Sequence, residues 1–137
     1  MLHLVAQPEI LVVDDERQIR NAISRPLRKL GYMVRTAADG IEAIENIAEH
    51  GPPTLMVLDL AMPRMDGRQV LARIRQNHPH LPVLVCTASD ARDLEDQHRV
   101  AVLEKPWDLK TFMARVQALL QVEEEAEDRS PSDGLRH

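Results

Sequence analysis

Five short apolar runs punctuate the chain: Ile10 to Val13, Met33 to Thr36, Leu55 to Leu58, Val83 to Cys86 and Val100 to Leu103. Rich in Val, Leu and Ile and without polar–apolar alternation, they read as strands buried on both sides. Between them, apolar residues recur at helical spacing: Ile19, Ile23, Leu27 and Leu30; Ala43, Ile44, Ile47 and Ala48; Val70, Leu71 and Ile74. A last helix follows from Leu109, with Phe112, Met113, Val116, Leu119 and Leu120 on its apolar side. Gly31 and Gly51 stand just beyond the first two helices, where a left-handed cap residue is wanted. Five strands alternating with five helices predict an α/β domain, a parallel sheet covered on both faces.

Two segments disturb the pattern. Pro26 falls inside the first helix, where it removes a backbone hydrogen bond at a cost of about 3 kcal/mol, and a kink is expected between Ala22 and Pro26. Between the fourth and fifth strands, Ser89 to Arg99 offers only Ala91 and Leu94 as apolar anchors. The fourth helix should therefore be short or irregular.

At 137 residues the chain suits one domain. Three parts are expected: an extension over 1–8, the folded domain over 9–121 and an acidic polar tail over 122–137. The net charge of −5 is concentrated in that tail, whose six acids and two bases give −4, while the body has 16 acids and 15 bases. A nearly neutral body with three aromatics has neither the field nor the stacking platform for direct nucleic-acid binding. No apolar run approaches the ~20 residues of a membrane span and the N-terminal residues lack the pattern of a signal peptide. The expectation is a cytoplasmic protein with no membrane partner. The lone Cys86, within LPVLVCT, reads as a small buried hydrophobe.

The acidic residues fall at telling places. Asp14 and Asp15 follow the first strand and Asp59 follows the third, so all three stand at carboxyl ends of strands. In a doubly wound sheet of order 2-1-3-4-5 those strands are neighbours at the switch point, where such folds bind ligands. Clustered carboxylates raise one another's pKa unless a cation joins them, and hard oxygens suit Mg²⁺. An N-cap at Asp14 or Asp15 for the helix beginning near Glu16 would explain one aspartate, not three. Thr87 ends the fourth strand and Lys105 follows the fifth, adding a hydroxyl and an ammonium at the same edge. An oxyanion held between metal, Lys and Thr is what phosphoryl transfer requires, with Asp59 as the nucleophile.

The set VVDD, Leu58-Asp59 with Met62-Pro63 and Met65-Asp66-Gly67, Thr87-Ala88 and Lys105-Pro106 resembles the receiver domains of bacterial response regulators over about Glu9 to Leu120. The resemblance implies a flavodoxin-like doubly wound sheet of order 2-1-3-4-5 and places the phosphoacceptor at Asp59. It implies that Asp14 and Asp15, with Asp59 and the backbone carbonyl of Ala61, hold Mg²⁺, and that Thr87 and Lys105 bind the phosphoryl oxygens. It further implies a cis Lys105–Pro106 bond. Implied partners are a histidine kinase or histidine phosphotransfer protein as donor and a downstream effector protein, with the receiver a monomer or weak dimer. The chain departs from the family in two respects. Val102 replaces an aromatic usual three residues before the lysine, and the interval from Thr87 to Lys105 is short by roughly one helical turn. Both fall on the face around the fourth helix, fifth strand and last helix, through which many receivers dimerise or reach effectors.

Two other functions compete with a stand-alone phosphorylation switch. An Mg-dependent aspartyl-phosphate hydrolase usually has a second acid two positions after the nucleophile, where this chain has Ala61. A pseudo-receiver acting only as an interaction module would have lost acceptor or metal residues. His78-Pro79-His80 reads as a solvated turn without a third metal ligand, and Glu123 to Asp128 as a prolongation of the last helix that SPSDG ends.

Overall fold

The computed structural model describes residues 7–88 and 90–121. The expected helical prolongation over 123–128, the tail and most of the N-terminal extension lie outside the described residues. The elements are β1 (Glu9–Val13), α1 (Arg17–Lys29), β2 (Met33–Ala37), α2 (Gly40–His50), β3 (Leu55–Asp59), α3 (Gly67–Asn77), β4 (Val83–Thr87) and β5 (Val100–Glu104). A 3₁₀ segment at Arg92–Asp96 precedes β5, and helix α4 occupies 109–121. The five strands form one parallel sheet of order β2-β1-β3-β4-β5.

Strand alternation divides the core in two. Leu11, Val13, Met56, Leu58, Val83 and Val85 face one side, packed with Ala43 and Ile47 of α2 and Val70, Leu71 and Ile74 of α3. Ile10, Val12, Leu55, Val57, Leu84 and Cys86 face the other, against Ile23 and Leu27 of α1 and Phe112, Val116 and Leu120 of α4. Both faces of the centre of the sheet are thus dry, which is why β1, β3 and β4 carry no polar stripe. β2 departs from the expectation of burial on both sides: as an edge strand it exposes Met33 and Thr36 and leaves Arg35 half-buried.

The helix count differs from expectation at one place. Where a fourth helix was expected to be short or irregular, the chain makes only a five-residue 3₁₀ segment, with Ala91 and Leu94 buried. Two anchors three residues apart suit the three-residue turn of a 3₁₀ helix and give no stripe for an α-helix. Leu30 is also placed differently: as the C-cap of α1 it lies past the buried face and is 58% exposed. Ala48 of α2 is likewise exposed. Pro26 lies inside α1 without ending it, and Gly31 and Gly51 take φ of 97° and 82° beyond α1 and α2. Among the described residues no helix is long and apolar enough to cross a membrane.

Candidate functional site

Parallel strands present all their carboxyl ends at one edge, and the three aspartates, the threonine and the lysine singled out in the sequence arrive there. Asp14 and Asp15 leave β1, Asp59 is the last residue of β3, Thr87 the last of β4, and Lys105 follows β5. Asp14, Asp59 and Thr87 are buried, while Asp15 is exposed. One carboxylate oxygen from each aspartate lies within 4.8 Å of those of the other two. Lys105 Nζ stands 3.8 Å from both Asp14 Oδ2 and Asp59 Oδ1. The backbone ties the loops together, the Lys105 N–H donating to the Thr87 carbonyl at 2.7 Å. The Lys105–Pro106 bond is cis.

Local bonds orient the carboxylates. Asp14 Oδ1 accepts the N–H of Glu16 at 2.9 Å, and Arg20 Nη1 donates to the Asp14 carbonyl at 2.7 Å. The residue at the N-cap of α1 is Glu16, which makes no side-chain cap bond. Capping therefore does not account for Asp14 and Asp15. Asp59 accepts the N–H of Ala61. Behind it, Asp66 caps α3 in a reciprocal capping box with Gln69. Gly67 then passes so close to β3 that a Cβ there would lie 2.4 Å from the Asp59 carbonyl oxygen. No larger residue allows α3 to start this near the site.

Burial raises the pKa of Asp59 to about 6, and the neighbouring Asp14 adds to the effect, which Lys105 opposes. Burial likewise raises Asp14. One ammonium leaves the cluster with excess negative charge. A small, hard dication bound by carboxylate oxygens would relieve it, so the donor set fits Mg²⁺.

Three residues outside this set behave as the sequence suggests. Burial pushes the Cys86 thiol up to about 12, the property of an inert thiol. His78 and His80 lie in the loop before β4, at the opposite end of the strands, where His80 Nδ1 is 3.0 Å from His98 Nε2. Sequence reasoning missed that cross-loop contact. Among the described residues, only the three aspartates form a group of three or more potential ligands that converges. Also unforeseen is an ion pair between Arg64, in the loop after Asp59, and Asp39 at the N-cap of α2. Its partners are 25 residues apart in two loops, and no periodicity connects them.

The family model for the response regulator receiver domain matches residues 10–117. The response regulator MprA of Mycobacterium ulcerans is 43% identical over 120 residues, covering 82% of this chain and 50% of that protein. MprA of Mycobacterium bovis is 41% identical over 135 residues, covering 93% and 56%. The chain thus spans about half the length of the curated relatives it matches. Among solved structures, chemotaxis protein CheY4 of Vibrio cholerae superposes with a TM-score of 0.76 at 28% identity, covering 83% of this chain and 99% of CheY4. NtrX of Brucella abortus gives 0.82 at 27% identity, covering 92% of this chain and 29% of NtrX.

Proposed function

Because the chain belongs to the response regulator receiver domain family, whose members are phosphoacceptor switches of two-component signalling, we propose that Asp59 takes the phosphoryl group. The donor is the phosphohistidine of a histidine kinase or histidine phosphotransfer protein. An Asp59 carboxylate oxygen attacks phosphorus, the P–N bond breaks with its electron pair going to the imidazole, and an acyl phosphate results. The observation that carries this reading is the buried Asp59 carboxylate among two further aspartates with Lys105 Nζ at 3.8 Å.

The other residues divide the remaining work. Lys105 neutralises charge on the transferred group and Thr87 donates its hydroxyl to a phosphoryl oxygen. Asp14, Asp15, Asp59 and the Ala61 carbonyl would hold Mg²⁺, which when bound shields the incoming phosphoryl group from the carboxylates. Asp15 would hold the ion directly, and Asp14 would support it mainly through water. Asp15→Ala should accordingly weaken Mg²⁺ binding more than Asp14→Ala, by about tenfold or more relative to wild type. Calorimetric titration checks this; equal affinities in Asp15→Ala and wild type would remove Asp15 from the metal site.

All of these residues lie between Asp14 and Lys105, which supports phosphorylation of this domain by itself and a signal passed on to a separate effector, as from a stand-alone receiver. Hydrolysis of the acyl phosphate resets it. A hydrolase acting on other phosphates is less favoured because Ala61, exposed beside Asp59, has no acid to offer an attacking water.

The output is proposed to run through the backbone between β4 and β5. Val102 is buried in the core face beside α2 and α3, and its stiff, small side chain cannot remodel a surface. The 3₁₀ segment, by contrast, is held by Ala91, Leu94 and the exposed Arg68–Asp93 pair at 2.9 and 3.1 Å. Such exposed pairs hold a segment only weakly. Beryllofluoride bound at Asp59 should raise amide protection most over Asp90 to Arg99. Protection gained at α1 instead, with that segment unchanged, would place the output elsewhere.

A further inference from the structure

Asp39 divides its two carboxylate oxygens between two elements. Oδ1 accepts the N–H of Glu42 at 2.9 Å and so caps α2, while Oδ2 receives Arg64 Nη2 from the loop between β3 and α3. Those bonds hold the Asp39 carboxyl below the usual carboxylate range, the Glu42 amide more than the Arg64 guanidinium. Arg64 has φ of 66°, a left-handed backbone that glycine adopts freely and that an arginine side chain disfavours. Glycine would fit that backbone better but would bring no guanidinium to Asp39.

The loop that Arg64 belongs to carries Ala61. It is closed at its base by the Gly67 N–H donating to the Leu60 carbonyl at 2.9 Å, and turned at its tip by the Met65 N–H reaching the Pro63 carbonyl at 2.8 Å. Its outer side rests on the start of α2. A Cβ on Gly40 would lie 2.7 Å from the Met65 carbonyl oxygen and 2.5 Å from Val70 Cγ2. The start of α2 and the tip of the loop therefore touch backbone to backbone, and the ion pair lies beside that contact.

We propose that Arg64 and Asp39 form a clamp fixing the Leu60–Asp66 loop to α2, and that Arg64 is thereby a positioning residue for the Ala61 backbone beside the aspartate cluster. The proposal deepens the phosphoacceptor reading and rests on it for the role of Ala61. Ala61 gives its N–H to Asp59; a loop that drifts loses that bond and moves the neighbouring carbonyl. The guanidinium is more than half exposed, whereas the Asp39 carboxylate is nearly buried. One end of the clamp is thus rigidly built and the other is adjustable.

The test compares Arg64→Gly, Arg64→Lys, Asp39→Asn and the Arg64→Gly/Asp39→Asn double variant with wild type. Arg64→Gly relieves the left-handed backbone, and Asn preserves the helix cap, so neither change should unfold the protein. In metal-free protein, amide exchange at Ala61 and Gly67 should rise about tenfold in Arg64→Gly. Mg²⁺ affinity by calorimetry should fall about tenfold, the size expected for an outer-shell partner. The double variant should match Arg64→Gly, and Arg64→Lys should recover part of both effects. Unchanged exchange and unchanged Mg²⁺ affinity in Arg64→Gly would overturn the clamp, as would losses in the double variant equal to the two single losses combined. If wild type binds no Mg²⁺, the phosphoacceptor reading fails, and the exchange measurement alone decides the clamp.

Discussion

Asp59→Asn is expected to abolish phosphorylation and, in metal-free protein, to make the fold more stable. The first effect follows from removing the nucleophile: an amide oxygen cannot form the acyl phosphate, and labelling should drop by at least about 100-fold. The second follows from burial. Burial raises the pKa of Asp59 to about 6 in the fold, above an ordinary aspartate near 3.9, so the folded protein holds its proton more tightly than the unfolded chain. Stability contributed by this group therefore declines as pH rises from about 4 to 6, and the full penalty is present at neutral pH. Replacing the carboxylate should recover on the order of 1–3 kcal/mol at pH 7 and flatten the stability profile across that interval. Denaturant titrations of both proteins at pH 4.5 and pH 7 check this. An Asn variant less stable than wild type at pH 7 would mean that Asp59 is a structural partner rather than a strained acceptor.

Removal of divalent metal is the second large effect. A phosphoryl donor approaching Asp59 brings negative charge towards three carboxylates countered by one ammonium. Labelling by acetyl phosphate should be at least about 100-fold slower in excess chelator and return with Mg²⁺ or Mn²⁺. The same addition should stabilise wild type towards heat by mass action and leave Asp59→Asn less affected. Undiminished labelling in chelator would leave Lys105 and Thr87 as sufficient for the chemistry and remove the metal from it.

The legible and illegible parts of this molecule separate on physical grounds. Each strand exceeds the run read from the sequence by only one residue; for β1, β3 and β4 the reason is that a strand dry on both faces leaves an unbroken apolar signature. Ala91 and Leu94 were readable as the anchors of the segment before β5, and its 3₁₀ form follows from there being only two. Leu30 was less readable, since helical spacing continues one residue past the last buried position of α1.

The candidate site was legible for a related reason. Asp14, Asp15, Asp59, Thr87 and Lys105 each follow or end a strand, and parallel pairing brings strand ends together without further information. Contacts between loops have no such rule. Arg64 and Asp39 meet because the β3–α3 loop turns back onto α2, and His80 meets His98 because β4 and β5 are neighbours at the opposite edge. Neither pair has a periodicity to announce it.

The central claim is that Asp59 is the residue that receives the phosphoryl group. The most direct measurement is to incubate the protein with acetyl phosphate and Mg²⁺, trap the product by borohydride reduction and map the modified residue by mass spectrometry. A single modification at Asp59 is expected, lost when the protein is treated with hydroxylamine before reduction, as an acyl phosphate must be. Stoichiometric modification at any other residue, or labelling of the Asp59→Asn variant at the wild-type rate, would contradict it.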